Sequence, residues 1–291
     1  MTGPHDAPLL HPICSLLLFL ATSTEETALK QVAEERGVDF NKAPVLVKHL
    51  RALGFGDKIW SLGQIGGETV VAIGASRDRQ GHVVMGAHGR LGSAAKAIRY
   101  LAATGAQGIL QIGTAFGIDR TTQKLGDVLV SALLLPYDNR DVKPGTDPPG
   151  YINDYTSMLS EEPRASLLER CRREKNRNLS PFEIHIGAIL SGSARIHCAA
   201  YRDELFRTVP HQNHRIVGGE MEGVGLLAAS LKRNDPAWCV VKGISDFADE
   251  FRDNDIQEGR QIAARNAASF VLSSLINDAE LLSEDVPDEH T

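Results

Sequence analysis

The chain has 291 residues, 42% of them hydrophobic, which is enough to bury a sizeable core and too apolar for a disordered segment. Its formal net charge of −6 offers no overall attraction for a phosphate backbone, so nucleic acid is not an expected partner. Cys14, Cys171, Cys198 and Cys239 are widely spaced, with no CxxC pair and no histidine at ligand spacing, which excludes a zinc site or a disulfide framework and points to reduced thiols in the cytoplasm.

The first apolar run, Pro12-Ile-Cys-Ser-Leu-Leu-Leu-Phe-Leu-Ala21, has no basic stretch before it and is too short to span a bilayer. It reads as a buried strand over residues 13–21, and no membrane association is expected. Further strands are predicted over 69–74, 82–87, 108–112, 127–134, 185–190, 216–219 and 238–243, with helical periods over 25–36, 91–104, 164–173, 200–208 and 221–232. A last helix from 256 to about 276 follows Asp255-x-x-Glu258, a capping-box pattern with aspartate at the N-cap. Residues 139–155, with three prolines and two glycines, read as an ordered surface loop. Residues 277–291 carry six carboxylates and no lysine or arginine, and read as an acidic tail beyond a single domain covering 1–276. Buried strands alternating with helices give the α/β class, with helices covering a largely parallel sheet.

Three segments carry chemistry. Gly108-Ile-Leu-Gln-Ile-Gly-Thr-Ala-Phe-Gly-Ile118 is a buried strand entering a glycine-containing turn, and ligands of open α/β sheets collect at such strand ends. It lacks the glycine register of a dinucleotide site, so a nicotinamide-dependent dehydrogenase is disfavoured. In Gly219-Glu-Met-Glu-Gly-Val-Gly-Leu-Leu-Ala-Ala-Ser230 two acids interrupt an apolar passage from strand to helix. Buried carboxylates are paired, hydrogen-bonded or reserved for a ligand; Glu220 and Glu222 are candidates to grip a diol, or else acids at a helix N-terminus. Val240-Val-Lys-Gly-Ile-Ser-Asp-Phe-Ala-Asp-Glu250 ends a strand at Ser245 and Asp246, where burial would lift an acid towards general-acid work.

Taken together, Gly113-Thr-Ala-Phe-Gly117, Gly126-Asp127, Glu220-Met-Glu222 and Gly243-Ile-Ser-Asp246 resemble the nucleoside phosphorylase superfamily, in particular its methylthioadenosine/S-adenosylhomocysteine nucleosidase branch, over residues 13–270. The resemblance implies a three-layer α/β/α fold around a mixed, largely parallel sheet, with a substrate site at the strand ends completed by a neighbouring subunit in a homodimer or higher homo-oligomer, and no cofactor or metal. It implies that Asp246 protonates purine N7, that Glu222 binds the ribose hydroxyls and that Glu25, four residues after Ala21, orients water, with Glu26 beside it as a second candidate. Substrate contacts are expected from Gly113, Thr114, Ala115, Arg195, Ile196, Glu220, Met221 and Ser245. Phosphorylases of this superfamily carry an arginine where this chain has Gln111, and a Gly-Asp-x-x-Arg segment where it has Ala21-Thr-Ser-Thr-Glu25, so hydrolysis is expected over the phosphorylase alternative. An intact acid trio disfavours a non-catalytic purine sensor.

One departure concerns the base pocket: Ser191-Gly-Ser-Ala-Arg-Ile196 stands where the family often places an aromatic residue. Arg195 would stack on the base or meet a phosphate. With His88, Arg90 and Arg120 as possible 5′-phosphate contacts, and Arg140 and Lys143 nearby in the long loop, the expected substrate is a purine nucleoside or a nucleotide such as AMP or ATP.

Overall fold

The computed structural model describes residues 13–278 except 43, 53–55, 148–149, 157, 159, 212 and 231–235. Its centre is a nine-stranded mixed sheet. In chain order the strands are β1 (Leu16–Leu20), β2 (Asn41–Lys42), β3 (Ile59–Ile65), β4 (Glu68–Ile73), β5 (Gly108–Phe116), β6 (Val128–Pro136), β9 (Ile184–Ser191), β10 (Ile216–Glu220) and β11 (Ala237–Asp246), with β7 (Asp141–Pro144) and β8 (Tyr151–Asp154) forming a separate hairpin. The spatial order is β10-β9-β6-β11-β5-β1-β4-β3-β2. β1 runs parallel to β4 and β5, β5 to β11, and β9 to β6 and β10, whereas β6 meets β11 antiparallel. Residues of β1, β5, β6 and β11 are buried on both faces, which is why their sequences read as continuous apolar runs.

Helices cover both faces. α1 (Ser23–Glu35), α4 (Ala165–Arg177) and α7 (Arg252–Ile276) pack Leu29, Leu167 and Phe270 against Leu16, Leu18 and Val241. α3 (Ser93–Thr104) and α6 (Val224–Ser230) pack Tyr100 and Leu226 against Leu17, Phe19 and Val240 on the other face, with α2 (Pro44–Ala52) also on the chain's N-terminal half and α5 (Ala199–Thr208) over β9 and β10. The three layers that the resemblance implies are present. No helix among the described residues is long and apolar enough to cross a membrane.

The last strand positions the site. β10 turns back to pair with β5 at Gly219 and Phe116, closing β5, β11, β6, β9 and β10 into a small barrel. A Cβ on Gly219 would come within 2.2 Å of the Phe116 ring, so only glycine permits this closure, which carries Glu220 and Glu222 towards the ends of β5 and β11.

Several expectations are corrected. Residues 82–87 form no strand: Gly81, Gly86 and Gly89 adopt positive φ, and only an isolated bridge joins Arg77 to Val83. β3 pairs with β4 across Gly66-Gly67, both at positive φ, the geometry of a tight hairpin turn. The loop over 139–155 contains the β7–β8 hairpin. α7 starts four residues early, at Arg252, with Phe251 as its N-cap; Asp255 lies inside the first turn and accepts from Arg120 instead of capping. Of the acidic tail, Asn277 and Asp278 bind Arg177 and Arg173, and the remaining tail residues lie outside the described ones.

Candidate active site

The carboxyl ends of β1, β5, β10 and β11 open into one cleft of about 490 Å³. Glu25, Glu222 and Asp246 all line it, with Thr114, Ala115, Arg195, Ile196, Glu220, Met221 and Ser245. Gly113 lies just beneath: a Cβ there would come within 2.5 Å of a Glu25 oxygen, so the strand leaves room for that carboxylate only as glycine.

Glu25 occupies the third position of a capping box on Thr22. Its Oε2 accepts from the backbone N–H of Ala21 at 2.7 Å and Thr22 at 2.9 Å, and its Oε1 from Thr114 N–H at 3.2 Å. Burial raises its pKa above the ordinary glutamate value, and Lys242 opposes that rise. Glu26 is used differently: it accepts from Ala75 N–H at 2.8 Å and pairs with Lys58 at 3.0 Å, so of the two candidates Glu25 is the one that lines the cleft.

Glu220 and Glu222 divide their work. Glu220 accepts from the backbone N–H groups of Glu222 and Gly223, both at 2.8 Å through Oε2, which fixes the turn before α6. Glu222 accepts from Gly86 N–H at 3.3 Å and from Lys242 at 3.1 Å, leaving it at the cleft wall. Glu220 satisfies backbone N–H groups at the start of α6, and both carboxylates line the cavity.

Lys242 escaped the sequence analysis. It is fully buried on β11, 3.1 Å from Glu222 and 3.6 Å from Glu220, and Glu25 lies close enough to act on it electrostatically. Burial alone would lower its pKa, but the three glutamates reverse the sign and raise it, so the ammonium stays charged. The signal was a lysine inside an otherwise apolar strand; assigning its partners required the register that sets Lys242 beside Gly113. Three carboxylates stand around the Lys242 ammonium, and the buried Lys96 acts on Glu25 and Glu222 as well, so carboxylates outnumber cations on the cleft floor and favour positive charge nearby.

Asp246 ends β11 beyond a bulge between Ile244 and Asp246, a device that re-aims a strand end. Its Oδ2 accepts from Ser245 Oγ at 2.9 Å and its Oδ1 from Ala248 N–H at 3.0 Å, with Arg252 Nε at 3.4 Å. Burial raises its pKa; Arg252 and the two hydrogen bonds pull the other way.

The cations are placed less as expected. Arg195 lines the cleft, but His88 and Arg90 are exposed and do not line it. Arg120 is held by Asp249 at 2.9 Å and Asp255 at 2.6 Å, with its guanidinium over the Phe247 ring, and does not line the cleft either. Arg140 reaches Asn153 and Lys143 pairs with Asp154 in the hairpin. The cleft cations missed in the sequence are Arg252 and Arg260 on α7.

The architecture is similar to solved nucleosidases. The 5′-methylthioadenosine/S-adenosylhomocysteine nucleosidase of Neisseria meningitidis, in complex with methylthio-immucillin-A, superposes with a TM-score of 0.64 at 18% identity, covering 90% of this chain and 99% of that one. Futalosine hydrolase of Helicobacter pylori superposes with a TM-score of 0.64 at 20% identity, covering 91% and 98%. At these identities the likeness is one of fold. In sequence, a death domain-containing ATP nucleosidase of Amphimedon queenslandica is 27% identical over 187 residues, 58% of this chain and 34% of that protein. The chain thus matches only about a third of that relative's length. The phosphorylase superfamily as a whole matches residues 19–276, and the chain belongs to that family.

Proposed function

We propose that the protein hydrolyses the N-glycosidic bond of a purine nucleoside or nucleotide, releasing the free base. The observation that carries this reading is the convergence of Glu25, Glu222 and Asp246 on one cleft. Asp246 donates its proton to N7, so the base departs neutral rather than as an anion, an effect worth roughly 10²–10⁴-fold. As the C1′–N9 bond lengthens, positive charge grows on the ribose, and Glu222 stabilises it more than it stabilises the neutral ground state. Glu222 also accepts from the ribose hydroxyls. Glu25 takes a proton from the water that adds to C1′, and Lys242 steadies both glutamates in their ionised form.

Water is favoured over phosphate because the buried cation is already matched by Glu222, Glu220 and Glu25, and Gln111 supplies no charge. The test is free purine released from adenosine, AMP, ATP, methylthioadenosine and S-adenosylhomocysteine in phosphate-free buffer. Release of base with a free sugar hemiacetal is expected. Release only on adding phosphate, with a sugar 1-phosphate as product, would overturn hydrolysis.

The working unit in this reading is a homodimer or larger. Val142, Tyr151 and Ile152 expose 63%, 49% and 55% of their surface on one hairpin, an apolar patch suited to a second copy. Sedimentation velocity is expected to give a dimer or higher oligomer that Ile152→Asp weakens; a wild-type monomer at micromolar concentration would refute it. Four unbridged thiols, three of them buried, suit a reducing compartment such as the cytoplasm.

A further inference from the structure

Three arginines gather in the cleft. Arg252 and Arg260 stand eight residues apart on α7, with Ile256 midway, so all three project from one helix face, and all three line the cavity. Arg195 reaches the same cavity from the turn between β9 and α5.

Their charges are poorly balanced. Arg252 meets Asp246 at 3.4 Å and Asp253 at 3.9 Å. Burial lowers its pKa, and both Arg195 and Arg260 act on it as like charges in the same direction. Among the described residues, neither Arg195 nor Arg260 has a carboxylate partner or a hydrogen bond. The protein treats a structural arginine otherwise: Arg120, next to the start of the same helix, has two aspartates and an aromatic face. A cluster of like charges in a cleft raises the energy of the empty site, and a polyanion removes that cost on binding.

Position identifies the anion. In an anti purine nucleotide the 5′ chain hangs over the C8–N7 edge of the base. A cation touching Asp246, the donor to N7, therefore lies within reach of 5′ phosphates. The floor of the same cleft, where Glu25, Glu220 and Glu222 surround Lys242, is rich in carboxylates and suits the ribosyl cation. Two signs in one cavity match a ligand with a cationic reacting centre and an anionic tail. With Asp246 protonated, as its role at N7 requires, the charge of Arg252 adds to those of Arg195 and Arg260, and three guanidiniums exceed the roughly two charges of one phosphate monoester.

We propose that Arg195, Arg252 and Arg260 form a clamp for the 5′ polyphosphate of a purine nucleotide. This rests on the nucleosidase reading and narrows its substrate to nucleoside di- or triphosphates. Water adds across the C1′–N9 bond, the base leaves with the proton from Asp246, Asp246 is restored by the proton Glu25 took from water, and the sugar keeps its polyphosphate. No phosphoanhydride bond is broken.

The test compares kcat/KM for purine release from ATP and from adenosine in wild type, Arg195→Ala and Arg260→Ala. The ATP-to-adenosine ratio is expected to fall about tenfold or more in each variant, the value of one charge-assisted contact. The adenosine rate is the denominator within each preparation, and a far-ultraviolet circular dichroism spectrum matching wild type is its folding control. A ratio unmoved in both variants overturns the clamp while leaving the nucleosidase intact. If no substrate yields purine, the nucleosidase reading fails, and titration of inorganic tripolyphosphate into the full chain by calorimetry decides the clamp by itself. Binding that weakens about tenfold in both variants upholds it; absent or unaltered binding overturns it.

Discussion

Asp246→Asn is expected to lower kcat for purine release by roughly 10²–10⁴-fold, about 3–5 kcal/mol of barrier, with little change in KM. Asparagine keeps the shape and still accepts from Ala248 N–H, so the fold of the strand end survives. What it lacks is a proton to transfer. The pH profile separates this role from a structural one. Asp246 must be protonated to act, and burial raises its pKa, so kcat/KM falls as pH rises through that raised value. Glu25 must be ionised to accept a proton from water, and its pKa is also raised by burial, so kcat/KM falls as pH drops through that value. The wild-type profile is a bell with both limbs above the ordinary carboxylate range, and the Asn variant loses the alkaline limb. A loss smaller than about tenfold, or an alkaline limb that persists in the variant, would remove Asp246 from the chemistry.

The acids and cations of this cleft differ in how readable they are. Glu222 and Asp246 each sit where an apolar run ends, and a carboxylate there is conspicuous without coordinates, whereas Glu25, in the first turn of α1, stands out only through the resemblance carried by Ala21-Thr-Ser-Thr-Glu25. The strands whose ends surround these acids, β1, β5, β10 and β11, are legible because they are buried on both faces. β3 is not, because Ile-Trp-Ser-Leu-Gly-Gln-Ile contains polar residues that face outward, and its pairing depends on the Gly66-Gly67 turn. Arg120 illustrates a deeper limit. Its place after the glycine turn of β5 suggests a ligand contact, yet Asp249 and Asp255, more than a hundred residues away, claim it. Arg252 and Arg260 suffer the reverse, since a helix predicted to begin at 256 leaves Arg252 outside it and gives Arg260 no known face. Net positions on a sheet or helix follow from local pattern; which charge meets which follows from register and crossing, and those are tertiary facts.

Lys242 is where that distinction has its largest energetic consequence. Lys242→Met keeps the length and the apolar stem but leaves Glu25, Glu220 and Glu222 around an empty charge. Removing one partner of a buried ionic group typically costs about 3–5 kcal/mol, and a loss of that size in urea unfolding is expected at pH 8. The sign of its pH dependence is fixed by the proton balance. Without the ammonium Glu25 and Glu220 favour their neutral forms more strongly, so the folded variant binds protons that the unfolded chain does not. Acidification therefore stabilises the variant relative to wild type, and the deficit at pH 8 shrinks towards pH 5. Activity at neutral pH falls with it, because a protonated Glu25 is too weak a base to take the proton of water. Lys242→Arg, which retains the charge, is expected to recover most of the stability. A deficit below about 1 kcal/mol at pH 8, or one that does not change with pH, would mean that the glutamates are ionised and stable without this cation, and that the ionic core of the cleft is held by its backbone hydrogen bonds instead.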